Sequence, residues 1–354
     1  MAKLGKVIFI TYLCLVILGI FFITTSSVVD AYREFGNQWV YIAKQAIWIF
    51  ISIISYLVIS RQSLKKIYAN SANAYWLIMI LLILVLLPGF GQQIQGARRW
   101  LNIGFSSLQP SEFIKGALVM YLPYLIHVKK ILAQKFLLLG FLPIGLILIQ
   151  PDFGTAIIVI ILVISLYLLS AYPLGVLLKY IPIGLLILTV YVISSPYRSQ
   201  RIQSYFSSST DLLNGSYQRR QSLIAIGNGG LFGIGFGQSR QKYNFLPESS
   251  TDSIFSIIAE ETGLIGSTFL IILFMVIITT SFRIANNSPH PLYSHTASGI
   301  GILISSQVLL NLGAISGLIP LTGVPLPFIS YGGSSLLNFS LCLGILTAIT
   351  KNEK

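Results

Sequence analysis

Apolar residues run in long stretches along nearly the whole chain, broken by short polar interruptions rather than alternating with them. Ten stretches stand out, near 7–26, 39–59, 74–90, 110–127, 135–150, 152–171, 174–195, 253–280, 294–317 and 330–350. Most reach the roughly 17 to 25 residues that a helix needs to cross about 30 Å of hydrocarbon. Lipid offers a backbone no hydrogen bonds, so each stretch must satisfy its own as a helix. The pattern predicts an all-α polytopic membrane protein with about ten transmembrane helices. It forms one integral membrane domain over 1–354, with a large extracytoplasmic loop, 196–252, between spans seven and eight.

Composition sharpens this picture. The chain is 55% hydrophobic and only 9% charged, against about 25% charged residues in soluble domains. Lys3 and Lys6 before the first stretch resemble the start of a signal peptide. That stretch is longer than a signal's apolar core, and Thr24-Thr25-Ser26-Ser27-Val28 offers no small-x-small cleavage site, so it reads as a retained span.

Lys and Arg set the orientation. With the N-terminus inside, the inner segments carry Lys3, Lys6, Arg61, Lys65, Lys66, Lys129, Lys130, Lys135, Lys179, Arg283, Lys351 and Lys354. The short outer loops carry only Arg33, Arg98 and Arg99. Both termini are therefore expected in the cytoplasm, with 196–252 on the outer face of the cytoplasmic (inner) membrane. The net charge of +13 is split between an anchoring inner face and one basic outer loop. That distribution points to anionic or phosphorylated lipid as partner and not to nucleic acid.

Cys14 and Cys342 fall inside spans and read as small apolar fillers. His127, His290 and His295 lie on or near inner loops without metal-ligand spacing, so no metal centre is expected.

Four polar interruptions all fall on the outer side. The first is Gly96-Ala97-Arg98-Arg99-Trp100, followed by Gln109-Pro110-Ser111-Glu112 and Lys115. Glu112 suits a helix start, and Lys115 three residues on shares its face, so the pair can neutralise itself or leave Lys115 lining a cavity for an anion. The second is Gln150-Pro151-Asp152-Phe153-Gly154-Thr155, where Asp152 can be a helix-start acid. The third is the glycine-rich 227–238, flanked by Arg219, Arg220, Arg240 and Lys242. No Gly-Lys-Ser/Thr follows it, so it is not a nucleotide loop but a re-entrant or tightly packed segment at the membrane surface. The fourth, Thr322 to Ser335, places Pro325, Pro327, Ser330 and Ser334 just before the last apolar helix. Together they predict one outward-open site.

Asp252 ends the polar stretch Leu246-Pro247-Glu248-Ser249-Ser250-Thr251 and opens an apolar helix, in a chain with only 10 acidic residues. An ionisable group at a membrane boundary marks a candidate functional site. On a helix running from Asp252, Glu261 lies on the opposite face, and Glu260 sits about 80° round and roughly 12 Å along. Neither shares a substrate with Asp252, and both are expected to hold helices together by hydrogen bonds.

With these motifs the chain resembles the SEDS (shape, elongation, division and sporulation) family of membrane glycosyltransferases. The motifs that carry the resemblance are Gly96-Ala97-Arg98-Arg99-Trp100, Gln109-Pro110-Ser111-Glu112, Gln150-Pro151-Asp152-Phe153-Gly154-Thr155, Leu246-Pro247-Glu248 with Thr251-Asp252, and Pro325 to Ser335. Gly237-Gln238-Ser239-Arg240-Gln241-Lys242 is closer to the division and sporulation branches than to the elongation branch.

The resemblance implies transfer of a nascent glycan strand to lipid II, with release of undecaprenyl pyrophosphate and Asp252 as the essential carboxylate. Arg98, Arg99, Lys115, Arg219, Arg220, Arg240 and Lys242 form the pool from which pyrophosphate contacts would come. A divalent cation, Mg or Mn, could share that task, and Glu112, Asp152, Glu248, Ser330 and Ser334 would shape the cavity. The implied partners are a class B penicillin-binding protein, which is a transpeptidase, and other divisome or elongasome membrane proteins. The chain departs from the family pattern at Ser253, where a bulky aromatic is usual, and at Asn228, where serine is common. Two alternatives stay open: a flippase for lipid II, and a non-catalytic scaffold for the transpeptidase.

Overall fold

Each of the ten apolar stretches coincides with a helix in the computed structural model, which describes residues 1–94, 96–104, 106–194, 214–243 and 246–352. The helices are α1 (Ala2–Ser26), α3 (Val40–Ile59), α5 (Ser71–Leu86), α6 (Pro110–His127), α7 (Ala133–Ile149), α8 (Phe153–Leu169), α9 (Leu174–Ile193), α11 (Ile254–Asn287), α12 (Pro291–Ile315) and α13 (Gly333–Asn352). Six of them, α1, α3, α9, α11, α12 and α13, are long and apolar enough to cross a membrane. The apolar helices α5, α7 and α8 are shorter, and α6 carries Glu112, Lys115 and Pro123.

Helix α13 forms the centre of the bundle. It packs on α1, α3, α6 and α12, and its Leu336, Phe339, Leu343, Leu346 and Ile349 belong to the main apolar cluster. At the other extreme, α9 leans on α7, stacks Tyr191 on Phe153 of α8, and buries little beyond Leu177. Its apolar sides face outward, as befits a helix whose surroundings are hydrocarbon.

Other elements lie outside the apolar pattern. Helix α2 (Val28–Phe35) follows α1 directly, and short α4 (Leu64–Ala69) precedes α5. Between α5 and α6 the chain forms a small antiparallel sheet of β1 (Gly91–Ile94), β2 (Ala97–Asn102) and β3 (Ser107–Leu108), in the order β1-β2-β3. Arg98, Arg99 and Trp100 therefore lie on a strand. The segment 196–252 is not all loop: α10 (Asn214–Gly229) occupies part of it and packs on α11. Residues 195–213, including Arg198 and Arg201, fall outside the described residues.

Helix α11 is two helical pieces joined at Gly263, whose φ of 65° and ψ of −161° no helix contains. The break leaves backbone groups without helical partners, and the glycine-rich segment supplies them. Ile234 N and Gly235 N donate to the carbonyls of Glu260 and Glu261 at 3.0 and 3.1 Å. In return Leu264 N and Ile265 N donate to the carbonyls of Gly230 and Leu231 at 2.9 and 3.2 Å. Backbones this close leave no room for side chains: a Cβ on Gly263 would stand 2.6 Å from the Leu231 oxygen. Dense glycine here serves helix repair.

Candidate functional site

Three of the four polar interruptions meet at one end of the bundle, while the glycine-rich third packs against the break in α11. Arg99 Nε donates to the Gln150 carbonyl at 3.0 Å, and its guanidinium also reaches the Pro151 carbonyl. Gln109 Nε2 and Ser111 Oγ donate to Asp152 Oδ2 at 3.0 and 3.2 Å, while Asp152 Oδ1 caps α8 by accepting from Thr155 N at 3.2 Å. Gln109 N donates to Ser334 Oγ at 2.9 Å. Asp152 is therefore a helix cap that also ties α6 to α8.

Asp252 stands half-buried immediately before α11. Its neighbours are pinned from three sides. Thr251 N and Ser253 N donate to the Glu248 carbonyl at 3.2 and 3.1 Å, in a turn where Glu248 itself has a φ of 53°. Ser330 Oγ donates to the Thr251 carbonyl at 2.6 Å and accepts from Leu326 N at 2.8 Å. Tyr331 N donates to the Ser250 carbonyl at 2.9 Å. Gln218 of α10 donates to Ser253 Oγ at 3.0 Å. A small serine after the aspartate thus makes a contact with α10 that an aromatic could not.

Between these segments opens a pocket lined by Gln218, Asp252, Ser253, Asn311, Thr322 and Gly323, with α12 as its back wall. Asp252 and Ser253 set it against the N-terminal end of α11, where the helix dipole favours an anion.

The basic residues expected around the site divide. Lys115 is fully buried, donating to Glu112 Oε1 at 2.8 Å and Gln307 Oε1 at 2.6 Å. Lys242 is also buried, donating to the Gly237 carbonyl at 2.5 Å and lying 3.5 Å from Glu261 Oε1. Arg99 holds the turn before α8. Arg98, Arg220 and Arg240 are exposed, and half-buried Arg219 follows Gln218 beside the pocket.

Glu260 and Glu261 bind the segment beyond the glycines instead of another helix. Glu260 Oε2 accepts from Ser239 Oγ and, at 3.4 Å, from Gln241 N. They therefore anchor Ser239-Arg240-Gln241-Lys242. Beside the site, Ser249 Oγ donates to Asp30 Oδ2 of α2 at 3.4 Å, and burial pushes the Asp30 carboxyl above its ordinary value. Among the described residues no three His, Cys, Asp or Glu side chains gather as a metal cluster.

Two site residues are absent from the sequence reading. Gln307 and Asn311, both buried and four apart on α12, face the same way. Gln307 Nε2 donates to the Pro325 carbonyl at 2.9 Å, and Asn311 Nδ2 to the carbonyls of Val324 and Asp252 at 2.7 and 2.8 Å. A Gln and an Asn one turn apart inside an apolar span were the available signal.

Residues 5–354 match the family described as cell cycle protein, the group of FtsW, RodA and SpoVE. This chain belongs to that family. It is 38% identical to the probable peptidoglycan glycosyltransferase FtsW of Coxiella burnetii, over 97% of this chain and 95% of that one. It is 36% identical to the stage V sporulation protein E of Bacillus subtilis, again over 97% and 95%. Among solved structures, it resembles a chain of a peptidoglycan synthase complex that coordinates polymerization and crosslinking, with a TM-score of 0.78, 27% identity, and 98% and 97% of the two chains covered. The rod shape determining protein RodA of Thermus thermophilus gives a TM-score of 0.71 at 25% identity, with 98% and 96% covered. The FtsW/RodA/SpoVE fold thus accounts for the chain from end to end.

Proposed function

We propose that this protein is a peptidoglycan glycosyltransferase that polymerises lipid II on the outer face of the cytoplasmic membrane, with Asp252 as general base. The observation that carries the proposal is the half-buried Asp252 carboxylate in a pocket at a helix N-terminus, in a chain that matches the family over residues 5–354. Its curated relatives named as glycosyltransferases supply the reaction class.

A sugar hydroxyl attacks the anomeric carbon bearing the pyrophosphate. The new C–O bond forms as the old one breaks, the hydroxyl proton passes to the Asp252 carboxylate, and the bonding pair leaves on the pyrophosphate. Positioned proton transfer of this kind is worth roughly 10²–10⁴-fold. A pyrophosphate is already stable as an anion, so it needs positive charge rather than an acid. Arg219 and Arg220 follow the pocket residue Gln218 on α10, half-buried and exposed in turn, and with exposed Arg240 are the basic residues left to supply it. A bound divalent cation would supply the same positive charge to the leaving pyrophosphate, alongside the arginines.

The sequence closeness to FtsW and SpoVE relatives favours a role in division or sporulation. The resemblance to a synthase complex favours a class B penicillin-binding protein as partner. On this reading both termini lie in the cytoplasm and the whole chain forms one domain, as the distribution of Lys and Arg supports. The glycosyltransferase reading is favoured over transport because Lys115 is engaged by Glu112 and Gln307 rather than lining an open path. The test is to supply lipid II to the purified protein with and without the transpeptidase and resolve the products by size. Glycan chains support the proposal; their absence under conditions where a related polymerase is active contradicts it.

A further inference from the structure

We propose that Asn311 is a positioning residue that sets the Asp252 carboxylate in place by tying both lips of the pocket to α12. The inference rests on the reading of Asp252 as the base.

Both Asn311 Nδ2 protons are spent on carbonyl oxygens, at 2.8 Å to Asp252 and 2.7 Å to Val324. Two acceptors on one side fix which way the carboxamide points. One lip of the pocket is the turn that ends at Asp252; the other is the segment 322–327, which has no helix or strand. Pro325 and Pro327 have no N–H to donate, and Leu326 N between them goes to Ser330 Oγ rather than to a backbone ladder. Its consecutive carbonyls at Val324 and Pro325 are taken instead by Asn311 and Gln307. Gln307 is in turn held by Lys115, so the second lip hangs on the buried Glu112–Lys115 pair. Of these two side chains Asn311 also crosses to the first lip, at the Asp252 carbonyl itself, while Ser330 Oγ joins the lips one residue away, between the Thr251 carbonyl and Leu326 N. The Asp252 carboxylate faces Gly323 between them.

A base displaced by about 1 Å loses on the order of 10²-fold in rate. Loss of the clamp should therefore lower kcat and leave binding of the lipid-linked substrate nearly intact. The test uses the full chain with its transpeptidase partner, lipid II as substrate, and the variants Asn311→Leu, Asn311→Ser and Asn311→His. Leucine keeps the volume without a donor, serine is too short to reach, and histidine offers one N–H at similar reach. Leu and Ser are expected to lower kcat by about 10 to 100-fold with KM within about twofold, and His to recover most of the loss. A packing role predicts the opposite ranking, with apolar leucine best tolerated and bulkier histidine worst. That ranking, or wild-type kcat for Asn311→Leu, overturns the inference. Should Leu or Ser fail to fold, the other still ranks no donor against His; should His fail, wild-type kcat in Leu or Ser still overturns the inference. Asp252→Asn runs in parallel: wild-type activity there sinks the base reading, whereas an inactive Asp252→Asn beside a fully active Asn311→Leu sinks only the role of Asn311.

Discussion

Gly323 faces Asp252 so closely that a methyl group on it would stand 3.4 Å from the carboxylate oxygen Oδ2. Its φ of 69° also lies where side chains are costly. One residue thus lets the proline-rich segment turn and leaves the carboxylate's face open.

Gly323→Ala should therefore act twice. The left-handed backbone costs a non-glycine residue roughly 1–2 kcal/mol, which thermal unfolding in detergent would register. The added methyl should also crowd the approach to Asp252 and lower polymerisation by more than the loss of folded protein explains. Activity normalised to folded protein separates the two.

The break in α11 makes a sharper prediction. Gly263 has a φ and ψ that only glycine adopts readily, a conformation worth about 1–3 kcal/mol to a side chain. A Cβ there would also collide with Gly233 N and approach the Leu231 oxygen to 2.6 Å. Gly263→Ala should release the glycine-rich segment from α11. Limited proteolysis between 227 and 243 should quicken markedly, with a fall in the unfolding midpoint.

Lys115 and Glu112 are both buried, at 0% and 2% exposure. Removing one partner of such a pair leaves a bare charge and costs about 3–5 kcal/mol, whereas replacing both with apolar groups is often close to neutral. Lys115→Met should be severely destabilising, and Glu112→Leu combined with Lys115→Met should recover much of the stability. The double variant should still polymerise poorly, because Gln307 then loses the ammonium that orients it.

Burial raises the Asp30 carboxyl above its ordinary value, with the Ser249 hydroxyl opposing and Glu34 adding to the rise. The folded protein therefore holds this proton more tightly than the unfolded chain does. The stability it contributes is full below the ordinary aspartate range and is lost as pH rises through the raised value. Asp30→Asn should stabilise the protein at neutral pH and make no difference in acid. Unfolding midpoints across pH check the sign.

The helices were legible because lipid demands uninterrupted apolar runs, and their ends fell where polar residues resumed. The small sheet was not: Gln92, Gln93 and Arg98 carry no two-residue alternation of apolar and polar positions. What holds it in place is Arg99 on the Gln150 and Pro151 carbonyls and Trp48 Nε1 donating to Ser106 at 3.0 Å, contacts between distant residues. The Asp252 site was legible as a carboxylate out of place. Asn311 and Gln307 were not, because their partners are main-chain carbonyls, which leave no mark on a sequence. Lys242 and Lys115 looked like ligands for an anion, and only the fold brings Glu261 and Gln307 to them.

The central claim is that the Asp252 carboxylate takes the proton of the attacking hydroxyl. Asp252→Asn keeps size and hydrogen bonding while removing that ability. Purified with its transpeptidase and given lipid II, this variant should keep the wild-type unfolding midpoint and lose glycan polymerisation by roughly 10²-fold or more. Polymer made at the wild-type rate by a folded Asp252→Asn protein would contradict the account.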